Sequence, residues 1–262
     1  MSFATLNIDR PREHVMLVTI NRPAAANALD TQCGMDIMTL FEGFNLDSAD
    51  TRCIVVTGAG DRAFCAGADL KERKSMADEA WMRQHLIYER MARALLSCPI
   101  PIIAAVNGAA YGGGCELALA CDFIYAAEAA RFALTEVTLG IMPGAGGTQT
   151  MARAVGERRA KEIILTGKPF TAAEAQQWGM VSKVVPASAL IAAALATADV
   201  IARNAPISVR QAKLAIGRGV NMSLWDGLAL ETEAYYRTVP TEDRREGILA
   251  FNEKRAATFK GK

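Results

Sequence analysis

The chain has 262 residues, 51% hydrophobic and 22% charged, with 29 basic against 28 acidic side chains for a net charge of +1. That size and apolar content support one sizeable core, or one domain with a small appendage. The near-neutral balance argues against a dedicated nucleic-acid or anionic-membrane surface.

The elements follow in chain order. His14-Val15-Met16-Leu17-Val18-Thr19-Ile20 is apolar and β-branched and is closed by Asn21-Arg22-Pro23, which predicts a strand. Asn27 then stands as an N-cap for helical spacing through Ala28, Leu29, Met35, Met38, Leu40 and Phe41. Cys53-Ile54-Val55-Val56-Thr57-Gly58 is a second strand, and its unbroken apolar character predicts burial on both faces, as in a parallel sheet. Residues 100–106 and 122–127 repeat the signal. Strands alternating with helices imply an α/β fold with right-handed crossovers. The strands start at uneven intervals without a residue-level repeat. Strand signals fade after about residue 183, and 190–203, 206–217, 224–236 and 244–256 read as helices, the last capped by Thr241. Leu224, Trp225, Leu228, Thr232, Tyr235 and Tyr236 make an apolar stripe that predicts packing against the main domain or another subunit.

Several chemistries have little material. The six cysteines form no C-x-x-C pair and most lie in apolar runs, so buried, reduced thiols are expected. His14 and His85 stand in unrelated contexts, which leaves no ligand set for zinc and no Ser-His-Asp triad. The N-terminal residues lack the charged and apolar regions of a secretory signal, and no apolar run reaches the roughly 18 residues that span a bilayer. The expected compartment is the cytoplasm.

The chemistry gathers in the middle of the chain. Tyr111-Gly112-Gly113-Gly114-Cys115-Glu116-Leu117 ends a strand-like run with uncovered main-chain N–H groups and a carboxylate in the next helical turn. Such donors can stabilise an oxyanion. Phe64-Cys65-Ala66-Gly67-Ala68-Asp69-Leu70 follows another strand, and its small residues admit a ligand close to the backbone. On its own this is a tight turn with Asp69 capping a helix; together the two segments could grip one carbonyl oxygen. Glu116 also reads as an ordinary first-turn acid, and Glu136 as a loop acid. Each has apolar neighbours, however, and carboxylates in such settings exchange protons nearer neutrality. Met142-Pro143-Gly144-Ala145-Gly146-Gly147-Thr148 matches no phosphate-binding pattern and reads as a turn that lets the chain pass beneath the site. Lys71-Glu72-Arg73-Lys74 reads as a solvated face, or as a neighbour to an anionic ligand.

These motifs, with Asn21-Arg22-Pro23, Asn27-Ala28-Leu29, Ala104-Ala105-Val106-Asn107-Gly108 and the closing Glu246-Gly247-Ile248-Leu249-Ala250-Phe251, together resemble the enoyl-CoA hydratase/isomerase (crotonase) superfamily from about residue 5 onward. The resemblance implies a spiral of ββα turns over residues 1–183 and a C-terminal helical trimerisation region over 184–262. It also implies a homotrimer or dimer of trimers that binds an acyl-CoA thioester, with no metal and no cofactor beyond the coenzyme A of the substrate. The thioester oxygen would sit on the N–H groups of Ala68 and Gly113. Coenzyme A would pass Ala24, Ala25, Ala66, Asp69, Leu70 and Lys71, with Phe251, Lys254 and Phe259 of a neighbouring subunit completing its site.

Hydratases of this superfamily use both acids, matching Glu116 and Glu136, to add water across the C2=C3 bond of a 2-enoyl-CoA. Isomerases commonly keep only the one matching Glu136. The alternatives are an enoyl-CoA isomerase, a specialised dehydratase, and a non-catalytic CoA- or RNA-binding subunit. Asp69-Leu70-Lys71-Glu72-Arg73 resembles the methylglutaconyl-CoA hydratase branch, and a carboxylated substrate would need a nearby cation. Thr135 departs from the family pattern, in which proline often precedes the second glutamate. Trp81, Met82, His85, Leu86, Tyr88 and Met91 fall where the family shapes its acyl pocket.

Overall fold

The apolar runs pair with one another, and short segments between them pair separately. The computed structural model describes residues 2–48 and 50–262. Its elements begin with β1 (Leu6–Arg12), β2 (Val15–Ile20), α1 (Thr31–Gly43), β3 (Cys53–Gly58), β4 (Ala63–Cys65), α2 (Leu70–Arg73) and α3 (Asp78–Ser97). There follow β5 (Ile102–Val106), β6 (Ala109–Tyr111), α4 (Gly113–Leu119), β7 (Phe123–Ala127), β8 (Arg131–Ala133), α5 (Gly147–Val155) and α6 (Glu157–Thr166). The chain closes with β9 (Phe170–Thr171), α7 (Ala172–Gln177), β10 (Lys183–Val185), α8 (Leu190–Arg203), α9 (Pro206–Gly219), α10 (Leu224–Tyr236) and α11 (Glu242–Glu253).

One sheet has the order β1-β2-β3-β5-β7-β10 and the other β4-β6-β8-β9. In the first, only β1 is antiparallel to its neighbour; β2, β3, β5, β7 and β10 run parallel. In the second, β4, β6 and β8 are parallel and β9 is antiparallel to β8. The pairs β3–β4, β5–β6 and β7–β8 therefore each place one strand in each sheet, and the chain advances as a spiral. The resemblance implied that architecture; sequence periodicity did not show it. β3 is buried at every position, as its uninterrupted apolar run required. The α8 helix packs across β2, β3, β5 and β7. Phe64, Ala110 and Phe132 fill the core from the second sheet.

The spiral has a functional consequence. β4, β6 and β8 point the same way, so the segments after them emerge at one end of the sheet. Those segments are 66–69, 112–116 and 134–136. The carboxyl ends of parallel strands are where α/β proteins generally place ligands.

Several local expectations change. Asn27 is not the helix cap: Asp30 is, its Oδ1 accepting the Cys33 N–H at 2.8 Å. Asn27 is buried with φ +56°. Its Nδ2 donates to Ala59 O at 2.9 Å and Ala63 O at 2.8 Å, while its Oδ1 accepts the Arg22 N–H at 3.1 Å. Asparagine suits both a cap and a left-handed turn, and here the turn prevails. Helix α9 continues to Gly219, and α11 spans Glu242–Glu253 because Lys254 adopts a left-handed cap. Thr241 caps α11 as expected, accepting the Arg244 N–H. Leu224, Trp225, Tyr235 and Tyr236 do not face the main domain; they are exposed, and α10 packs chiefly on α9. Among the described residues no single helix is long and apolar enough to cross a membrane.

Replacing Asn27 by alanine takes this donor from the buried Ala63 carbonyl and the half-buried Ala59 carbonyl and puts a less tolerant residue in a left-handed turn. Asn27→Ala is expected to lower the unfolding free energy by about 2–4 kcal/mol in urea denaturation. A change below about 0.5 kcal/mol, the range of an inconsequential surface substitution, would contradict this account.

Candidate active site

The turn after β4 comes first. Gly67 has φ +90°, and a Cβ there would stand 2.7 Å from Tyr111 O and 3.2 Å from Gly113 N, so only glycine lets the two turns touch. The 66–69 segment is held from the other side by Leu29, whose N–H donates to Gly67 O at 2.7 Å and whose carbonyl accepts the Asp69 N–H at 2.8 Å. Asp69 caps α2 and pairs with Arg22 at 3.0 Å, and Arg22 also pairs with Asp30 at 2.9 Å. Those contacts leave the N–H of Ala68 without an acceptor among the described residues. The Gly113 N–H, at the start of α4, has none either. Ala68 N lies 3.8 Å from where a Cβ on Gly113 would be. Two uncommitted main-chain donors thus stand close together at one cavity.

Glu116 lies in the first turn of α4 and is 4% exposed. Its Oε1 accepts the N–H groups of Ala145 and Gly147, each at 2.8 Å. Burial raises its pKa, while those two donors and the nearby His85 pull the other way. The 142–148 turn therefore holds the carboxylate as well as passing beneath it. Gly147 is obligatory for that grip, since a Cβ would stand 2.8 Å from Glu116 Oε1. His85 Nε2 lies 3.1 Å from Gly144 O and, in the tautomer that carries its hydrogen on Nε2, donates to it, tying α3 to the same turn.

Glu136 opens a 3-10 turn, Glu136–Leu139, and is 8% exposed. Among the described residues neither of its carboxylate oxygens has a hydrogen-bond partner. Burial pushes its pKa up to about 7, its own N–H opposes the shift, and the charge of Glu116 adds to it. Near neutrality this group both holds and releases a proton.

These groups share a cavity of about 600 Å³ lined by Ala68, Gly113, Glu116 and Glu136, and by Leu29, Arg73, Trp81, His85, Tyr88 and Met91. Ala66, Leu70, Leu139 and Met142 line it at exposed positions, whereas Leu29, Arg73, Tyr88 and Met91 are buried. Main-chain donors beside two carboxylates, one tethered and one without a partner, can stabilise an enolate and move protons to and from a neighbouring carbon or water.

The family model described as Enoyl-CoA hydratase/isomerase matches residues 10–262. The chain belongs to that family. The Escherichia coli 2,3-dehydroadipyl-CoA hydratase is 43% identical over 253 residues, covering 96% of this chain and 97% of its own. The Clostridium acetobutylicum short-chain-enoyl-CoA hydratase is 42% identical over 241 residues, 92% of each chain. A crystal structure of enoyl-CoA hydratase from Bacillus anthracis superposes with a TM-score of 0.96 at 44% identity, covering 98% of this chain and 100% of that one. The activity is enoyl-CoA hydration, giving a 3-hydroxyacyl-CoA.

Other residues expected at an enoyl-CoA site are distributed unevenly. Ala66 and Leu70 line the cavity, while Lys71 is exposed and outside it. The Asp69 carboxylate is committed to Arg22 and the α2 cap. Ala24 and Ala25 belong to a 3-10 turn, Pro23–Ala25, outside the cavity; the neighbouring Ala26 O accepts the Ala66 N–H at 3.1 Å. Phe251, Lys254 and Phe259 do not line the cavity of their own chain. Phe251 is 83% exposed, and Phe259 folds toward Gly247, its carbonyl accepting from Arg52. Met82 and Leu86 face outward, unlike the other four positions of the α3 stripe. Thr135 lines the cavity.

Sequence reasoning missed the donors Ala145 and Gly147 and the tie from His85. Glycine density announced a close approach there without saying what approached. The segment 71–74 reads as a solvated face or as a neighbour to an anionic ligand; Arg73 is buried at the cavity wall, while Lys71 is exposed and outside it.

The folded protein holds the Glu136 proton up to about pH 7, whereas an unperturbed glutamate releases it near 4.5. Between those values the unfolded chain binds fewer protons, so this residue makes stability fall as pH rises, and the full penalty is present above pH 7. Glu136→Gln is expected to raise the melting temperature at pH 8 and to change it little near pH 4, as scanning calorimetry would show. An equal shift at both pH values would rule out the burial of charge as its cause.

Proposed function

We propose that the main-chain N–H groups of Ala68 and Gly113 receive the thioester oxygen of a 2-enoyl-CoA, with Glu116 and Glu136 dividing the protons of hydration. Glu116, held through Oε1, orients a water molecule and takes its proton as the oxygen bonds to C3. The electron pair of the C2=C3 bond moves into the thioester as an enolate, whose oxygen the two donors stabilise. Glu136 then delivers its proton to C2, and exchange with solvent resets both acids. The observation that carries this reading is the pair of unpartnered oxygens on Glu136, in the same cavity as the tethered Glu116. A second acid in the cavity favours addition of water over simple migration of the double bond.

The same reading places coenzyme A across the mouth formed by Ala66 and Leu70, near Ala24, Ala25 and Lys71. Phe251, Lys254 and Phe259 would act from a neighbouring subunit of a homotrimer or dimer of trimers. The exposed Trp225, Tyr235 and Phe251 support assembly, because covering such large apolar side chains with another copy removes their surface from water. No cofactor is needed beyond the coenzyme A carried by the substrate. The six free, buried thiols are compatible with a cytoplasmic role in fatty-acid metabolism.

Hydration of crotonyl-CoA, followed by loss of the enoyl absorbance, tests the assignment. Glu116→Gln and Glu136→Gln are each expected to lower kcat about 10²- to 10⁴-fold; activity surviving both would overturn the roles. Because Glu136 must begin protonated for hydration, kcat/KM in that direction is expected to fall above about pH 7. Dehydration of 3-hydroxybutyryl-CoA should fall over the same range, because the reaction takes up no net proton and the two kcat/KM values keep a ratio that does not change with pH. A hydration kcat/KM that stays level from about pH 6 to about pH 9 would reject Glu136 as the proton donor.

A further inference from the structure

The proposed hydration makes no use of Arg73, although Arg73 is the one lysine or arginine among the residues that line the cavity. It is only 9% exposed. Its Nε donates to Gln84 Oε1 at 2.7 Å, and Gln84 Nε2 in turn donates to Thr31 Oγ1 at 2.8 Å and Glu72 Oε2 at 2.7 Å. The guanidinium carbon lies 4.1 Å from the centroid of the Trp81 ring and 5.3 Å from that of Tyr88. Its inner edge and position are therefore fixed by packing and one hydrogen bond. Among the described residues neither Nη has a hydrogen-bond acceptor, and no carboxylate forms an ion pair with Arg73. Glu72 acts on it only at longer range, its oxygens being occupied by Thr31 and Gln84.

Both Nη atoms open to the cavity rather than being sealed in the core, and a ligand that displaces their water is costly unless it pairs with them. The place of Arg73 in the cavity identifies what could do so. Arg73 is buried, as are Leu29, Tyr88 and Met91, whereas Ala66, Leu70, Leu139 and Met142 are exposed and form the mouth. A bulky, solvated nucleotide has to stay at that mouth. With the thioester at Ala68 and Gly113 and the double bond at the two glutamates, the group that can reach the enclosed wall is the far end of the acyl chain. A methyl terminus there would leave two guanidinium nitrogens desolvated and unpaired. A carboxylate would accept both in the planar fork geometry to which arginine is suited.

We infer that the acyl chain carries a carboxylate at its distal end and that Arg73 receives it, so that the preferred substrates are mono-thioesters of unsaturated dicarboxylic acids. This rests on the proposed placement of the thioester and double bond. Arg73 is then a specificity-determining residue, preorganised by Gln84, Trp81 and Tyr88.

The test separates binding from turnover. Saturated succinyl-, glutaryl- and adipyl-CoA are compared with butyryl-, pentanoyl- and hexanoyl-CoA as inhibitors of crotonyl-CoA hydration; each pair matches in chain length and differs in the terminal carboxylate. At one length or more, the carboxylated member is expected to bind the wild-type enzyme at least about tenfold more tightly. Arg73→Met should reduce that preference about 10- to 100-fold, in line with loss of a charged hydrogen bond, and Arg73→Lys should retain part of it. Equal or weaker binding of every carboxylated member to wild type overturns the inference, even if the variants do not fold. A preference unchanged in Arg73→Met overturns it as well. Failure of the wild type to hydrate crotonyl-CoA or any unsaturated dicarboxylic mono-thioester would instead overturn the hydration reading, and the inhibitor comparison would then be repeated as direct binding by calorimetry.

Discussion

Parallel pairing of β4, β6 and β8 brings three sequence-distant turns to one end of one small sheet. Each strand has only a few residues, too few to be stable alone. They are held because each follows a longer strand in the neighbouring sheet, β3 and β5 buried throughout and β7 at three of five positions, so the strong pairing of β3, β5 and β7 sets the register of the weak one. The turn after β4 carries Ala68, the turn after β6 carries Gly113 and Glu116, and the turn after β8 carries Glu136. A slip in the larger sheet would move all of them relative to one another.

Chemical differences between the two glutamates arise from what the backbone offers each. Glu116 meets two N–H groups from the 142–148 turn, which stabilise its charge and fix one oxygen. Glu136 has no donor for either oxygen among the described residues, and burial holds its proton to about pH 7. Two residues of one type thus acquire distinct tendencies, a pattern expected wherever one acid and one base share a site.

Legibility in the sequence followed length and continuity. The runs that became β2, β3, β5 and β7 were readable because they are unbroken and apolar, and α8 because alanine and leucine dominate it. β4, β6, β8 and β9 are too short to carry a period, and β1 disperses its pattern among charged residues and Pro11 as an edge strand. Glu116 and Glu136 stood out as acids within apolar stretches. The charged run 71–74 could be read as a neighbour to an anionic ligand, but three other charged residues surround Arg73 and a four-residue helix gives too little phase to show that it is the one that turns inward. Asn27 misled for a different reason: its side chain is equally at home capping a helix or satisfying the backbone around a left-handed turn.

The paired donors at Ala68 and Gly113 belong to the main chain, and most replacements of either side chain would leave the N–H itself in place. Mutational drift can therefore alter the walls of this cavity far more readily than it can erase the oxygen-binding corner. The walls contributed by α2 and α3 are made of side chains, each exchangeable without redrawing the spiral. A fold organised in this way conserves a reaction in its topology while leaving the choice of acyl group to point changes, so descendants should diverge in diet sooner than in chemistry.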